Sequence, residues 1–134
     1  MGLADRPGVG AKYLYVGGLM AWLSVQFSAA AQVGTARSIY ARAFDGATQL
    51  TGRNAWLVNL SSTPTGIVDG FADTMVRQSA TVTLHSFITG KRIKVASAPG
   101  GWILMNVSRS GTVGTRYFQV CVNGVWAFLS VAFT

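Results

Sequence analysis

A chain of 134 residues and 14.2 kDa is long enough to bury one hydrophobic core and too short for two, so one domain with an attached arm is the expectation. Half of its residues are hydrophobic and only 11% are charged, against roughly 25% in ordinary soluble domains, which leaves neutral and apolar surface for a partner or an oligomer. The net charge of +7 suits an acidic partner, but the cations are scattered along the chain and do not form the stripe that nucleic acid requires, so no direct nucleic-acid contact is expected. Cys121 is the single cysteine; it excludes an intrachain disulfide framework, and its place in an apolar run reads as a small core residue.

Residues 1–11 hold three glycines and a proline without any period, the pattern of an extended arm. Lys12 and the apolar run that follows, to Ala31, have the outline of a secretory signal or membrane anchor. The run is broken at Gly17-Gly18 and is too interrupted for a membrane span, which needs about 20 predominantly apolar residues. Strands over 13–16 and 19–28 are the preferred reading.

Residues 35–44 alternate as a strand, with Arg37 and Arg42 toward solvent, and Asp45-Gly46 ends it with turn chemistry. A polar connection over 47–53 leads to a strand over 54–62 whose Trp56, Val58 and Leu60 share the inward face. Residues 63–77 are turn-rich and unpatterned, the mark of a functional or interaction loop, with a short helical turn expected over 71–76. The next segment, 78–88, reads as a half-buried strand with Val82, Leu84 and Ser86 opposite Thr81, Thr83 and His85. After Thr89-Gly90 comes a strand over 91–98 that opens with the one basic cluster, Lys91-Arg92-Ile93-Lys94.

The last third is the most explicit. A strand over 102–109 and a Gly/Ser/Thr break are followed by Tyr117-Phe-Gln-Val-Cys-Val122, then Asn123-Gly124, then a run from Val125 to Phe133. Asn-Gly between two apolar runs is a strong hairpin signal, because both central residues of a type I′ turn take positive φ. With the strand before it, this hairpin is expected to form a three-strand meander. About 7–9 short antiparallel strands with Gly, Pro, Asn and Asp punctuation, and no window of helical period, predict an all-β sandwich.

The order of these elements resembles the immunoglobulin-like virion proteins of tailed bacteriophages. The features that carry it are Ile39-Tyr-Ala-Arg-Ala-Phe44 closing on Asp45-Gly46, Trp56-Leu-Val-Asn-Leu-Ser61 running into a Ser/Thr/Pro/Gly loop, and the segment 84–95. Gly-Gly-Trp-Ile-Leu-Met-Asn-Val, Tyr117-Phe-Gln-Val and the Asn123-Gly124 hairpin to Thr134 complete it. It spans about three-quarters of the chain and is a pattern of strands and turns without a diagnostic motif; the Cys…Trp…Cys spacing of antibody domains is absent. The resemblance implies an immunoglobulin-like β-sandwich over 32–134, with 1–31 as an arm and strand extension that makes assembly contacts. It also implies a structural role on the phage particle, as a decoration or cement protein bound to the major capsid protein or another virion protein, as a homo-oligomer and away from any membrane. Contacts are expected from Arg6 in the arm, from Tyr13, Tyr15 and Trp22 after it, and from Lys91, Arg92 and Lys94, since aromatic residues and arginine dominate binding energy at protein interfaces.

The chain is poor in groups for chemistry. His85 is the single histidine and sits in a strand; four Asp and no Glu leave little for a paired-carboxylate site. Asp69 and Asp73 lack the further oxygen ligands calcium needs and read as a solvated loop, and one Cys with one His cannot hold zinc. The glycine-rich pieces lack the strand-to-helix context and lysine of a phosphate loop. No enzyme, cofactor or metal is expected. Two alternatives to the virion reading stand. One is a carbohydrate- or receptor-binding β-sandwich, for which Trp22, Trp56, Trp102 and Trp126 offer aromatic faces, Trp102 and Trp126 being next to Gly-rich turns. The other is a secreted or membrane-anchored β-domain with residues 12–31 as signal or anchor.

Overall fold

The computed structural model describes residues 23–61, 63, 73–110 and 113–134. Among the described residues ten strands follow in chain order: β1 (Leu23–Ala29), β2 (Ala36–Asp45), β3 (Thr48–Gln49), β4 (Ala55–Ser61), β5 (Thr74–Arg77), β6 (Val82–Ile88), β7 (Arg92–Ala96), β8 (Trp102–Ser108), β9 (Gly114–Val122) and β10 (Val125–Phe133). They form two antiparallel sheets, β1-β2-β8-β5 with β3 on the end of β2, and β10-β9-β4-β7-β6. The fold is the expected immunoglobulin-like, all-β sandwich.

Period-2 alternation builds the core. Ile39, Ala41 and Ala43 from β2 and Ile103, Met105 and Val107 from β8 face Trp56, Val58 and Leu60 from β4 and Phe118, Val120 and Val122 from β9, all of them buried. Each Val, Leu, Ile, Met or Phe among them contributes about 1.5–3 kcal/mol for leaving water. β1 runs antiparallel to β2 along all seven residues, from Leu23 opposite Asp45 to Ala29 opposite Ile39. Its Leu23, Val25, Phe27 and Ala29 pack on the core, and Phe27 meets Phe118 edge-on with ring centroids 6.1 Å apart. This strand occupies the end of the segment that mimics a secretory signal; the strand expected over 13–16 lies outside the described residues.

The terminal hairpin forms as expected. β9 and β10 pair from Val122 opposite Val125 to Gly114 opposite Phe133, and Asn123 and Gly124 have φ of 49° and 80°, the left-handed values a type I′ turn requires. The meander does not form. β8 pairs with β2 and β5 in one sheet, while β9 pairs with β10 and β4 in the other. Both strands carry one apolar face, and placing them in facing sheets buries the two faces against each other, which a side-by-side arrangement cannot do. At the open end Arg109 donates through Nε and Nη2 to the Thr134 carbonyl. Gln32 both donates to that carbonyl and accepts from the Thr134 N–H, each at 2.9 Å.

Four smaller expectations are corrected. The 47–53 connection contains β3, whose Thr48 and Gln49 pair with Asp45 and Phe44. Within 71–76, Thr74–Arg77 is extended, because β8 offers a free ladder that takes Thr74 to Arg77 opposite Ser108 to Met105; residues 71 and 72 lie outside the described set. Arg37 turns from solvent to span the two sheets, its Nε donating to the Ala30 carbonyl at 2.8 Å and its Nη1 to that of Ala132 at 3.0 Å. Finally, 82–88 is not half-buried: every residue of β6 is exposed. The β6 sheet is five strands across and the facing sheet only four along its main path, so among the described residues no strand stands opposite the inner face of β6.

Candidate binding surface

The outward face of the five-stranded sheet is read from its cross-strand pairs, since directly opposed residues share a face. One row runs Trp126, Cys121, Leu57, Lys94, His85; the next runs Phe128, Gln119, Asn59, Arg92, Ile88. In the middle of the second row lies a satisfied polar ladder. Arg92 Nε donates to Asn59 Oδ1 at 3.1 Å, Asn59 Nδ2 to Gln119 Oε1 at 3.5 Å, and Gln119 Nε2 to the Thr63 carbonyl at 3.0 Å. Asn59 and Gln119 are buried, so the centre of the face is held by its own hydrogen bonds.

The two margins of this face differ. On the β10 side Trp126 and Phe128 are both about half exposed, and Phe128 packs edge-on to Tyr117 at 5.9 Å. They stand outward because Val125, Ala127, Leu129, Val131 and Phe133 take the inward positions of the same strand. On the other side, the β6–β7 hairpin presents Val82, Leu84, Phe87 and Ile88, all more than 40% exposed, with Phe87 edge-on to His85 at 4.5 Å. Its pairing shifts register twice, at Leu84 and at Phe87.

The sequence-derived contact residues fare unequally. Arg6, Tyr13, Tyr15 and Trp22 lie outside the described residues. Lys91, Arg92 and Lys94 come together on the β6–β7 hairpin but do different things. Lys91 is in the turn, with its N–H on the Ile88 carbonyl and its own carbonyl accepting from Leu60; Arg92 is half-buried and tied to Asn59; Lys94 is exposed, opposite His85 and Leu57. Sequence reasoning missed Phe128 with Tyr117 and the exposure of β6. The first was signalled by aromatic residues at alternate positions of β10; the second had no local signal, because it depends on how many strands face β6.

The outer face of the other sheet carries a second aromatic pair. Tyr40 and Trp102 lie 5.1 Å apart and tilted, with the Arg42 guanidinium 5.9 Å from the Tyr40 ring centroid. Beside them Ser38 Oγ donates to Gln78 Oε1 at 3.1 Å, and Asn106 Nδ2 donates to Ser38 Oγ at 3.4 Å.

Two expectations about reactive groups are corrected here. Cys121 is not in the core: the β9 register places it on the outer face, half-buried between Trp126 and Leu57. Burial pushes its thiol up from the ordinary value, opposed by a backbone hydrogen bond at Gly124, so it stays protonated near neutral pH and is a poor nucleophile. Asp73 is not in a solvated loop. It is buried between the sheets, where Oδ2 pairs with Arg116 Nε and Oδ1 accepts from the Ser110 N–H at 2.8 Å. Asp69 lies outside the described residues. Among the described residues no three His, Cys, Asp or Glu side chains come together as a metal site, and no helix is long and apolar enough to cross a membrane.

No family model matches the chain, and no curated protein matches it. Among solved structures it is similar to the crystal structure of BslA, a bacterial hydrophobin, at 17% identity over 84% of this chain and 98% of that one, with a TM-score of 0.43.

Proposed function

We propose that this protein is a non-catalytic structural module that attaches to a larger protein assembly. The setting implied by its resemblance to phage virion proteins is the surface of a tailed-phage particle, where it binds the major capsid protein or another virion protein. The observation that supports this reading is the outward pair Trp126 and Phe128, backed by Tyr117, on a rigid edge strand. A half-exposed aromatic side chain still has of order 100 Å² to bury, about 2.5 kcal/mol each at 25 cal/mol per Å². Rigid aromatic anchors beside a sheet whose own polar groups are already paired lose little entropy and leave few unsatisfied groups on docking. Light scattering of the full chain, alone and mixed with disassembled particle proteins, tests the proposal. A large complex that is lost in the Trp126→Ser, Phe128→Ser double variant is expected; a chain that stays monomeric with every particle protein overturns it.

A second reading is favoured by a different observation, the Tyr40 and Trp102 pair next to the Ser38, Gln78 and Asn106 hydrogen-bonding groups. An aromatic platform flanked by hydroxyl and amide groups matches a sugar ring, which has an apolar face and polar edges. A glycan array probed with the full chain and with Trp102→Ala distinguishes this carbohydrate-binding reading from the first.

A further inference from the structure

We infer that the β6–β7 hairpin is a docking element for an anionic lipid surface, independently of the function proposed above. Val82, Leu84, Phe87 and Ile88 protrude at 41–54% exposure; Val82 opposite Ala96 and Ile88 opposite Arg92 share the outward face with His85 opposite Lys94, and Phe87 packs on His85. A partner that removes these side chains from water has to fit the uneven surface that the register shifts at Leu84 and Phe87 leave. A fluid hydrocarbon boundary conforms to such a surface without needing a matching shape of its own. The charge pattern selects the kind of surface. Lys91, Arg92 and Lys94 follow the apolar strand directly, Arg92 opposite Ile88 and Lys94 opposite His85, and from Thr74 to Thr134 the sequence contains no Asp or Glu at all. Apolar side chains that insert into the boundary, with cations beside them at headgroup level, are the two components of attachment to an anionic leaflet.

A second copy of the chain is a poorer occupant of the same strand. Sheet continuation needs a regular edge ladder, and the register shifts at Leu84 and Phe87 interrupt it. Two copies joined there would also bring together two sets of Lys91, Arg92 and Lys94 without an acidic residue from this half of the chain to offset them.

The full chain is tested by co-sedimentation with phosphatidylcholine vesicles with and without phosphatidylserine, at low and high salt. Binding is expected to require phosphatidylserine and to weaken with salt. Phe87→Ser with Ile88→Ser should weaken it about tenfold or more, and Lys91→Gln with Lys94→Gln about fivefold for each charge. Because Phe87, Ile88 and Lys94 are exposed and Lys91 lies in the turn, both variants should keep the parent melting temperature, checked by circular dichroism. No binding to the anionic vesicles, equal binding to both vesicle types, or anionic binding unchanged in the Phe87→Ser, Ile88→Ser variant overturns the inference. So does a dimer that this variant converts to monomer, which would assign the strand to a second copy. Trp126→Ser is expected to leave vesicle binding unchanged, so failure at the hairpin and failure of the assembly reading are separable.

Discussion

Asp73 and Arg116 show how a single contact can organise one end of a sandwich. Arg116 occupies an inward position of β9, where its neighbours Phe118 and Val120 are core residues, and a cation there is tolerated only with a partner. Asp73, at the start of β5 in the opposite sheet, supplies the carboxylate and also caps the Ser110 N–H. Removing Arg116 leaves the Asp73 carboxylate buried without its countercharge, so Arg116→Ala is expected to cost about 3–5 kcal/mol, measured by urea denaturation. Replacing the pair together, Asp73→Leu with Arg116→Met, should recover most of that loss, because the desolvation penalty disappears with the charges. Trp56 makes a milder compromise. Its ring fills the centre of the core, while its indole N–H is buried without a hydrogen-bond partner among the described residues, so the apolar area it buries outweighs one unsatisfied donor.

At the scale of elements, the connection from β7 to β8 leaves no room for a side chain at Gly101. Gly101 has φ of 90°, and a β-carbon there would lie 1.9 Å from the Leu50 carbonyl oxygen. Its N–H bonds to the Ala98 carbonyl, and the Ala98 N–H to that of Trp102, which sets where β8 begins. Gly101→Ala is therefore expected to destabilise by more than about 1 kcal/mol, since strain and a backbone clash combine; a lowered urea midpoint measures it. Strands such as β2, β4 and β10 were legible because their alternation has one side to bury. Their turns were legible because Asn123-Gly124 and Asp45-Gly46 have few other uses. The weakly patterned β5 and the two-residue β3 were not, since each is extended only by virtue of the neighbour it pairs with.

For the whole molecule, the unequal width of the two sheets matters most. It leaves β6 overhanging at one margin, while at the other β1 packs its inward side chains on the core. Deleting residues 1–31 is expected to expose the edge of β2 and uncover Phe118, lowering the melting temperature by several degrees or more, because a small domain loses several degrees for each 1 kcal/mol. A truncated chain as stable as the full one would show that β1 adds nothing to the sandwich.

Composition and period by themselves determined that this chain is an all-β sandwich, where its long strands run, and that it ends in an Asn-Gly hairpin. Those signals are local, set by φ preferences and by the two-residue repeat that one buried face imposes. Only the tertiary structure decided that β8 and β9 belong to different sheets, that Cys121 faces outward while Asp73 is buried, and that the apolar residues of β6 stay in water. Each of these depends on what stands across from a strand, and segments far apart in the chain supply that partner or fail to supply it.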